Sequence, residues 1–308
     1  MNIAAWQSHS VITNERRVFS PMSALPIIKM HGCGNDYVFV DAMDWTKDES
    51  RRFDCAAVAR KITDRHRSIG GDGLVLMLAS DAADAQMRMF NADGSEGTLC
   101  GNALRCMAMW LHQSGRCGTR CRIAMHDRII DAEVLSSDLN RKRAIVRVTF
   151  GPPVVVSPAS IGLMKFVRPI TLDDVFLQGE PVRLITVSMG NPHAIMLVND
   201  VKSLAIGPIG SQTERHPEFP DRTNVEFVQV TATDGAFVRV WERGTGETQA
   251  CGSGACATAV MGWATGLFPP YAPIRIGMSG GDLIVRMSAN KDVTLEGPAE
   301  ESFRGEVQ

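Results

Sequence analysis

Hydrophobic positions along the chain fall into short runs separated by turns rich in glycine, asparagine and aspartate. Ile27 to Asp41 holds two such runs around His31-Gly32-Cys33-Gly34-Asn35-Asp36. Glycine supplies positive φ and Asn and Asp tolerate turns, so this stretch predicts two strands joined by a tight loop. Residues 54–63 carry an apolar stripe of Ala56, Ala57, Val58 and Ile62 and read as a short helix. A glycine-rich loop from Asp64 to Gly73 leads into a strand, Leu74 to Leu78, and a second strand, Met87 to Phe90, delivers the chain to Asn91. Leu104, Met107, Ala108 and Leu111 follow i, i+3, i+4, i+7, which predicts an amphipathic helix ending near Gly115. Residues 121–150, 166–190 and 271–297 alternate strand and turn. Gly252 to about Thr265 is almost wholly apolar or small, the pattern of a buried helix, and Gly266 and Pro269-Pro270 stop it.

This pattern occurs twice. Sliding the chain by 151 positions lays Cys100-Gly101-Asn102 on Cys251-Gly252-Ser253 and Glu96 on Glu247. A slide of 156 lays Gly34-Asn35-Asp36-Tyr37 on Gly190-Asn191-Pro192-His193. Two near-equal offsets in the same order indicate an internal repeat. The fold expected is α/β (α+β): two pseudo-symmetric halves, each a mostly antiparallel sheet wrapped round a helix that opens at a Cys-Gly-polar turn. Residues 25–149, completed by 295–308, are expected to form the first domain and 150–294 the second. Residues 1–24 read as a poorly ordered extension.

Each repeat places a cysteine where a helix starts. Free N–H groups and the positive end of the dipole at such a site favour a thiolate and bind carboxylates. Two such sites facing each other suit inversion at a carbon beside a carboxylate. One thiolate removes the α-proton and the opposite thiol returns one to the other face, with fixed donors stabilising the planar carbanion. Taken singly, either cysteine reads as a small buried apolar residue. The glycine-flanked polar settings of both argue for chemistry instead.

Composition narrows the partners. A formal net charge of −2 gives no electrostatic reason to expect nucleic acid or an anionic membrane. No apolar run approaches the roughly 20 residues that span a bilayer, and the first 25 residues lack the pattern of a signal peptide. Eight cysteines in such a chain read as reduced thiols in the cytoplasm. Cys117-x-x-x-Cys121 has no second ligand pair nearby, so no metal is expected.

Six ordered segments carry a family resemblance: Lys29 to Tyr37, Asp64 to Gly73, Phe90 to Cys106, Met189 to His193, Arg222 to Val225, and Trp241 to Cys256. Together they resemble diaminopimelate epimerase, a cofactor-independent amino-acid epimerase family. The resemblance implies an active site in a cleft between the two domains. It implies interconversion of LL- and meso-diaminopimelate, in lysine and peptidoglycan-precursor synthesis, by a cytoplasmic homodimer. It implies Cys100 and Cys251 as the acid/base pair. Asn35, Asn91, Asn191, Asn224, Glu242 and Arg243 would hold the substrate, together with N–H groups at Gly101-Asn102 and Gly252-Ser253. His193 and Glu242 would help set thiol protonation. Amides donate and accept and Arg grips carboxylates bidentately, so these residue types suit a substrate with two amino-acid ends. His31 either joins the site or supports its turn.

The sequence departs from the family pattern at three places. Ala103 stands where the family usually has Gly, so its methyl could crowd the anion site. Gly73 stands where some members carry Gln, so a substrate contact there comes from backbone or is missing. Cys33 is unusual in the first turn. The main alternative is a proline or hydroxyproline racemase of the same fold. That family's second cysteine follows Asp-x-x-Pro, whereas Thr248-Gln249-Ala250 precedes Cys251 here. The phenazine-pathway branch lacks both cysteines. A redox pair and a non-catalytic binding module are readings from other classes.

Overall fold

The turn at Cys33-Gly34 is the first place where composition dictates backbone. Both residues take positive φ, 54° and 76°, and strands β1 (Leu25–Gly32) and β2 (Asn35–Ala42) run antiparallel on either side. The computed structural model describes residues 24–97, 99–126 and 128–307. Residues 1–23, almost all of the expected extension, lie outside the described residues. The first half continues through α1 (Lys47–Arg52), α2 (Cys55–Ile62), β3 (Gly73–Leu78), β4 (Ala85–Asn91), β5 (Glu96–Gly97), α3 (Gly101–Gln113), β6 (Arg120–Met125), β7 (Arg128–Asp138) and β8 (Arg143–Gly151). The second half begins with a 3₁₀ turn, Gly162–Phe166, and continues through β9 (Val167–Leu177), β10 (Glu180–Ser188), β11 (Pro192–Leu197), α4 (Ile206–Glu214), β12 (Asn224–Ala232) and β13 (Gly235–Glu242). It ends with β14 (Gly246–Thr248), α5 (Gly252–Thr265), β15 (Ile274–Met278), β16 (Gly281–Met287) and β17 (Val293–Val307).

Strand pairing repeats with the sequence. β2 lies parallel to β3 with Tyr37 opposite Gly73, and β11 lies parallel to β12 with His193 opposite Asn224. β4 pairs parallel with β6 as β13 does with β15. Among the described residues the other ladders are antiparallel. The glutamates matched by the repeat brace equivalent hairpins: Glu96 pairs with Arg88 and Glu247 with Arg239, each at 2.8 Å. β17 joins the halves, since its first residues pair with β16, its middle with β8 and its last with β1.

Burial explains why the strands read as apolar runs. The central helices α3 and α5 are buried almost all round and share one continuous core. Each fully buried Leu or Met, such as Leu104 and Met107, contributes on the order of 1.5–3 kcal/mol. The outer face of the first sheet (Val38, Val40, Leu74, Leu76) packs with Ala59 and Ile62 of α2. In the second half Ala194, Met196, Val225 and Phe227 pack with Ile206 of α4. Strands covered on both faces lose their period-two alternation.

Two helices escape the sequence reading. α1 has a capping box: Thr46 Oγ1 accepts from Glu49 N–H, and Glu49 Oε2 accepts from Thr46 N–H. α4 carries Gly207, Pro208 and Gly210 and has no side-chain N-cap, so propensity hides it. Tertiary packing decides instead. A Cβ on Gly210 would stand 2.7 Å from the Trp241 ring, which lies against that turn.

Candidate active site

Cys100 and Cys251 are the N-cap residues of α3 and α5. Both have extended backbone (φ −140°, ψ 107° and φ −118°, ψ 111°), and each Sγ accepts a hydrogen bond at 3.4 Å from the N–H three residues on, Ala103 or Gly254. A thiol thus occupies the place where Ser or Asp usually caps a helix. The two helix starts meet. A Cβ on Gly252 would lie 3.7 Å from Gly101 Cα and 2.9 Å from Leu295 Cδ2, and one on Gly101 would strike Phe150 at 2.8 Å. Glycine at both positions therefore lets the two N-termini approach. Asn102 ties them together by donating from Nδ2 to Ala250 O at 3.1 Å, one residue before Cys251.

The surroundings of the two thiols differ. The Cys100 thiol lies 3.3 Å from Tyr37 Oη and 3.7 Å from Asn35 Oδ1. Asn35 donates to Asp72 at 2.6 Å and accepts from Asn102 Nδ2 at 2.8 Å, which fixes its amide with the oxygen toward the thiol. Asn102 is held in turn by Arg105 Nη2, 2.8 Å from its Oδ1. On the other side a chain of contacts runs inward from Cys251. Ser253 Oγ lies 3.5 Å from Sγ, Asn191 Nδ2 donates to Ser253 at 3.2 Å, and Asn191 Oδ1 faces His193 Nε2 at 3.2 Å. His193 Nδ1 sits 2.7 Å from Glu226 Oε1, with both side chains fully buried. Among the described residues Glu226 Oε2 has no hydrogen-bond partner.

Asn224, Glu242 and Arg243 form a third group. Asn224 Oδ1 accepts from Arg243 N–H at 3.0 Å, its Nδ2 donates to Pro192 O at 2.9 Å, and Arg243 Nη1 donates to Asp221 O. Glu242 accepts from Thr248 Oγ1 at 2.5 Å. A cavity of about 500 Å³ opens beside Gly190, Asn191, Pro192, Asp221, Arg222 and Arg243, a size that suits a small-molecule ligand. Asn91, at the end of β4, is bonded to its own loop through Ser95. His31 accepts from Gly34 N–H at 3.4 Å and so supports its turn. No side chain fits at Gly73, because a Cβ there would meet Phe90 O at 2.4 Å and the Tyr37 ring at 3.0 Å. Ala103 is fully buried in the core that also holds Val75, and its N–H still reaches Cys100, so its methyl takes nothing from the cap.

The expected lowering of the thiol pKa values is overturned. Burial is the largest influence on Cys100 and pushes it up, and the Glu242 carboxylate adds to that push. The Tyr37 hydroxyl and the Ala103 N–H pull it back. Burial pushes Cys251 up further, helped by Glu242 and Glu226 and opposed by Ser253 and Gly254 N–H. Desolvation therefore outweighs the hydrogen bonds that each thiol accepts at its helix start. Burial also raises Glu242, to about 7, against its bond from Thr248. Arg105, Glu226 and Tyr37 were not singled out in the sequence. The visible signal for the first two is a charge inside a segment that otherwise reads as fully buried.

The diaminopimelate epimerase family model matches residues 27–156 and 185–301. The chain belongs to the diaminopimelate epimerase family. Its relatives include the diaminopimelate epimerase of Acetivibrio thermocellus, 39% identical over 281 residues, covering 91% of this chain and 97% of the relative. That of Pelotomaculum thermopropionicum is 40% identical over 286 residues, covering 90% and 97%. Among solved structures, a probable proline racemase from Agrobacterium radiobacter superposes with a TM-score of 0.68 at 15% identity, covering 92% of this chain and 93% of that one. A phenazine biosynthesis protein of Bacillus anthracis gives 0.63 at 15% identity, covering 93% and 100%. At these identities the likeness shows a shared fold alone. Among the described residues no helix is long and apolar enough to cross a membrane.

Proposed function

We propose that the protein interconverts LL- and meso-diaminopimelate by removing the α-proton with one of Cys100 and Cys251 and delivering a different proton to the opposite face from the other. The observation that carries this is the meeting of two cysteine-capped helix starts at Gly101 and Gly252. One thiolate takes the proton from the α-carbon and becomes a thiol. The electron pair spreads into the substrate carboxylate, held by N–H groups at Gly101-Asn102 and Gly252-Ser253. The facing thiol gives its proton to the opposite face and becomes a thiolate, so the two bases exchange states each turnover. Burial of Cys251 and partial burial of Cys100 limit the water that competes for the carbanion.

Asn35 and Asn191 hold the reacting end beside their thiols. Asn91, Asn224, Glu242 and Arg243 hold the end that is not inverted, where the amide and guanidinium groups read its configuration. Gly73 supplies backbone only. His193, with Glu242, adjusts thiol protonation. The halves 25–149 with 295–308 and 150–294 act as two domains that close over the substrate. A homodimer, on the strength of the family resemblance, and a cytoplasmic setting, on the reading of the cysteines as reduced thiols, complete the proposal.

Turnover in D₂O tests it. LL-diaminopimelate given to the reduced protein should yield the meso isomer carrying deuterium at the inverted carbon. A reaction that leaves the α-carbon unlabelled excludes proton exchange and with it the epimerase reading. The same assay with proline and hydroxyproline separates the racemase alternative.

A further inference from the structure

The two halves align Tyr37 with His193. Both stand two residues after the turn asparagine, Asn35 or Asn191, on strands with the same parallel register: Tyr37 opposite Gly73 and His193 opposite Asn224. His193 reaches its thiol only through Asn191 and Ser253. Tyr37 is longer and arrives directly, with its hydroxyl 3.3 Å from Cys100 Sγ. The bare backbone of Gly73 makes room for it, because a Cβ there would stand 3.0 and 3.1 Å from Tyr37 Cε1 and Cδ1. The ring thus fills space beside a strand position that carries a side chain, Asn224, in the other half. Its edge-on packing against Phe39, at 6.5 Å and 76°, holds it there. Only 6% of Tyr37 is exposed, and a buried phenol hydroxyl needs a polar partner.

We propose that Tyr37 is a positioning residue for Cys100: its hydroxyl donates to the thiolate and accepts the S–H hydrogen when the thiol is protonated. The donor role needs a phenol that stays protonated. Burial pushes Tyr37 well above its ordinary range, and the neighbouring Cys100, Glu242 and Asp72 add to that. The groups acting on Cys100 are Tyr37 from β2, Glu242 from β13 and the N–H groups of Asn102 and Ala103 at the start of α3. Of these Glu242 pushes the thiol up and the other three pull it down, the phenol most strongly. The inference rests on reading Cys100 as one of the two bases. The hydrogen bond itself belongs to the resting thiol and can be measured without turnover.

The experiment compares the full chain, its Tyr37→Phe variant, and full chain in which tyrosine is replaced by 3-fluorotyrosine. The sequence has only two tyrosines, and the second, Tyr271, is 43% exposed and bonded to Lys291. Each protein is alkylated with iodoacetamide across about pH 7 to 11, since burial raises both thiols above the ordinary cysteine range. Rates at Cys100 and Cys251 are followed separately by peptide mass spectrometry. Loss of the donor in Tyr37→Phe should raise the Cys100 midpoint by about one pH unit, roughly a tenfold loss of thiolate below it. The more acidic fluorophenol should lower it. Cys251 should not move in either. A Cys100 midpoint that is the same in all three proteins overturns the proposal, as does one that Cys251 follows. If Tyr37→Phe does not fold, the fluorotyrosine shift decides. Failure of α-proton exchange in D₂O would sink the epimerase reading and leave these midpoints intact.

Discussion

Around Cys100 the repeated backbone carries Tyr37, Gly73, Val75, Ala103 and Arg105. Around Cys251 the same positions carry His193, Asn224, Glu226, Gly254 and Cys256. Strand registers, helix caps and even the Arg–Glu braces of the hairpins coincide between the halves. Charge does not. The first half buries a cation, Arg105, under its helix start, and the second buries an acid, Glu226. The backbone repeat is what a two-base reaction needs, since the two faces of one carbon must be met alike. The side-chain differences are what an asymmetric substrate needs, since only one of its ends is inverted.

The largest effect tests the symmetric part. Cys100→Ala and Cys251→Ala should each lower the epimerisation rate by about 10²- to 10⁴-fold or more, the usual contribution of a positioned acid or base. Far-UV dichroism should stay unchanged, because Ala fits the space and the lost cap hydrogen bond costs only about 0.5–2 kcal/mol. One variant retaining full turnover would break the comparison, since a single base would then suffice.

The next effects test the asymmetric part. The Glu242 carboxylate raises both thiols, whereas Glu226 raises Cys251. Glu242→Gln should therefore lower the alkylation midpoints of both cysteines, and Glu226→Gln that of Cys251 alone. With Glu242 titrating at about 7, the sign with pH follows. As pH rises through that value the carboxylate charges and opposes both thiolates; as pH falls it becomes neutral and the opposition fades. Turnover should drop roughly tenfold in Glu242→Gln, the cost of about one charged hydrogen bond. Equal shifts at both cysteines in Glu226→Gln would mean that the buried acid does not distinguish the halves.

How much of this was legible in the sequence follows from the same contrast. The repeat was legible because glycines and cysteines at turns are set by local backbone, and both cysteine helices lie where the pattern puts them. α4 was not, because Gly207, Pro208 and Gly210 contradict helix propensity. The repeat itself could have found it, as sliding α2 by 151 positions covers 206–213. The sign of the thiol shifts was also hidden. A helix start is visible in sequence, but the depth to which a fold buries it is not. Tyr37 sat inside a recognised motif, yet nothing local shows that its ring occupies the space beside Gly73.

The smallest effects lie at the one helix position where the halves differ by a methyl. A Cβ on Gly254 would stand 2.7 Å from Glu226 Oε1, and Glu226 has no room to retreat beside His193. Gly254→Ala should cost about 1–3 kcal/mol by overpacking and loosen the line from His193 to Cys251. At the matching strand position Val75 replaces Glu226, and Ala103 is already accommodated in its core. Ala103→Gly removes one buried methyl and a helix-favouring residue, so its cost should be about 1–2 kcal/mol with Cys100 still capped by the same N–H. Denaturant midpoints measure both. If Gly254→Ala leaves both the denaturant midpoint and Cys251 reactivity unchanged, the Glu226 carboxylate does not press on α5. The glycine there would then reflect the repeat's ancestry and not the buried acid behind it.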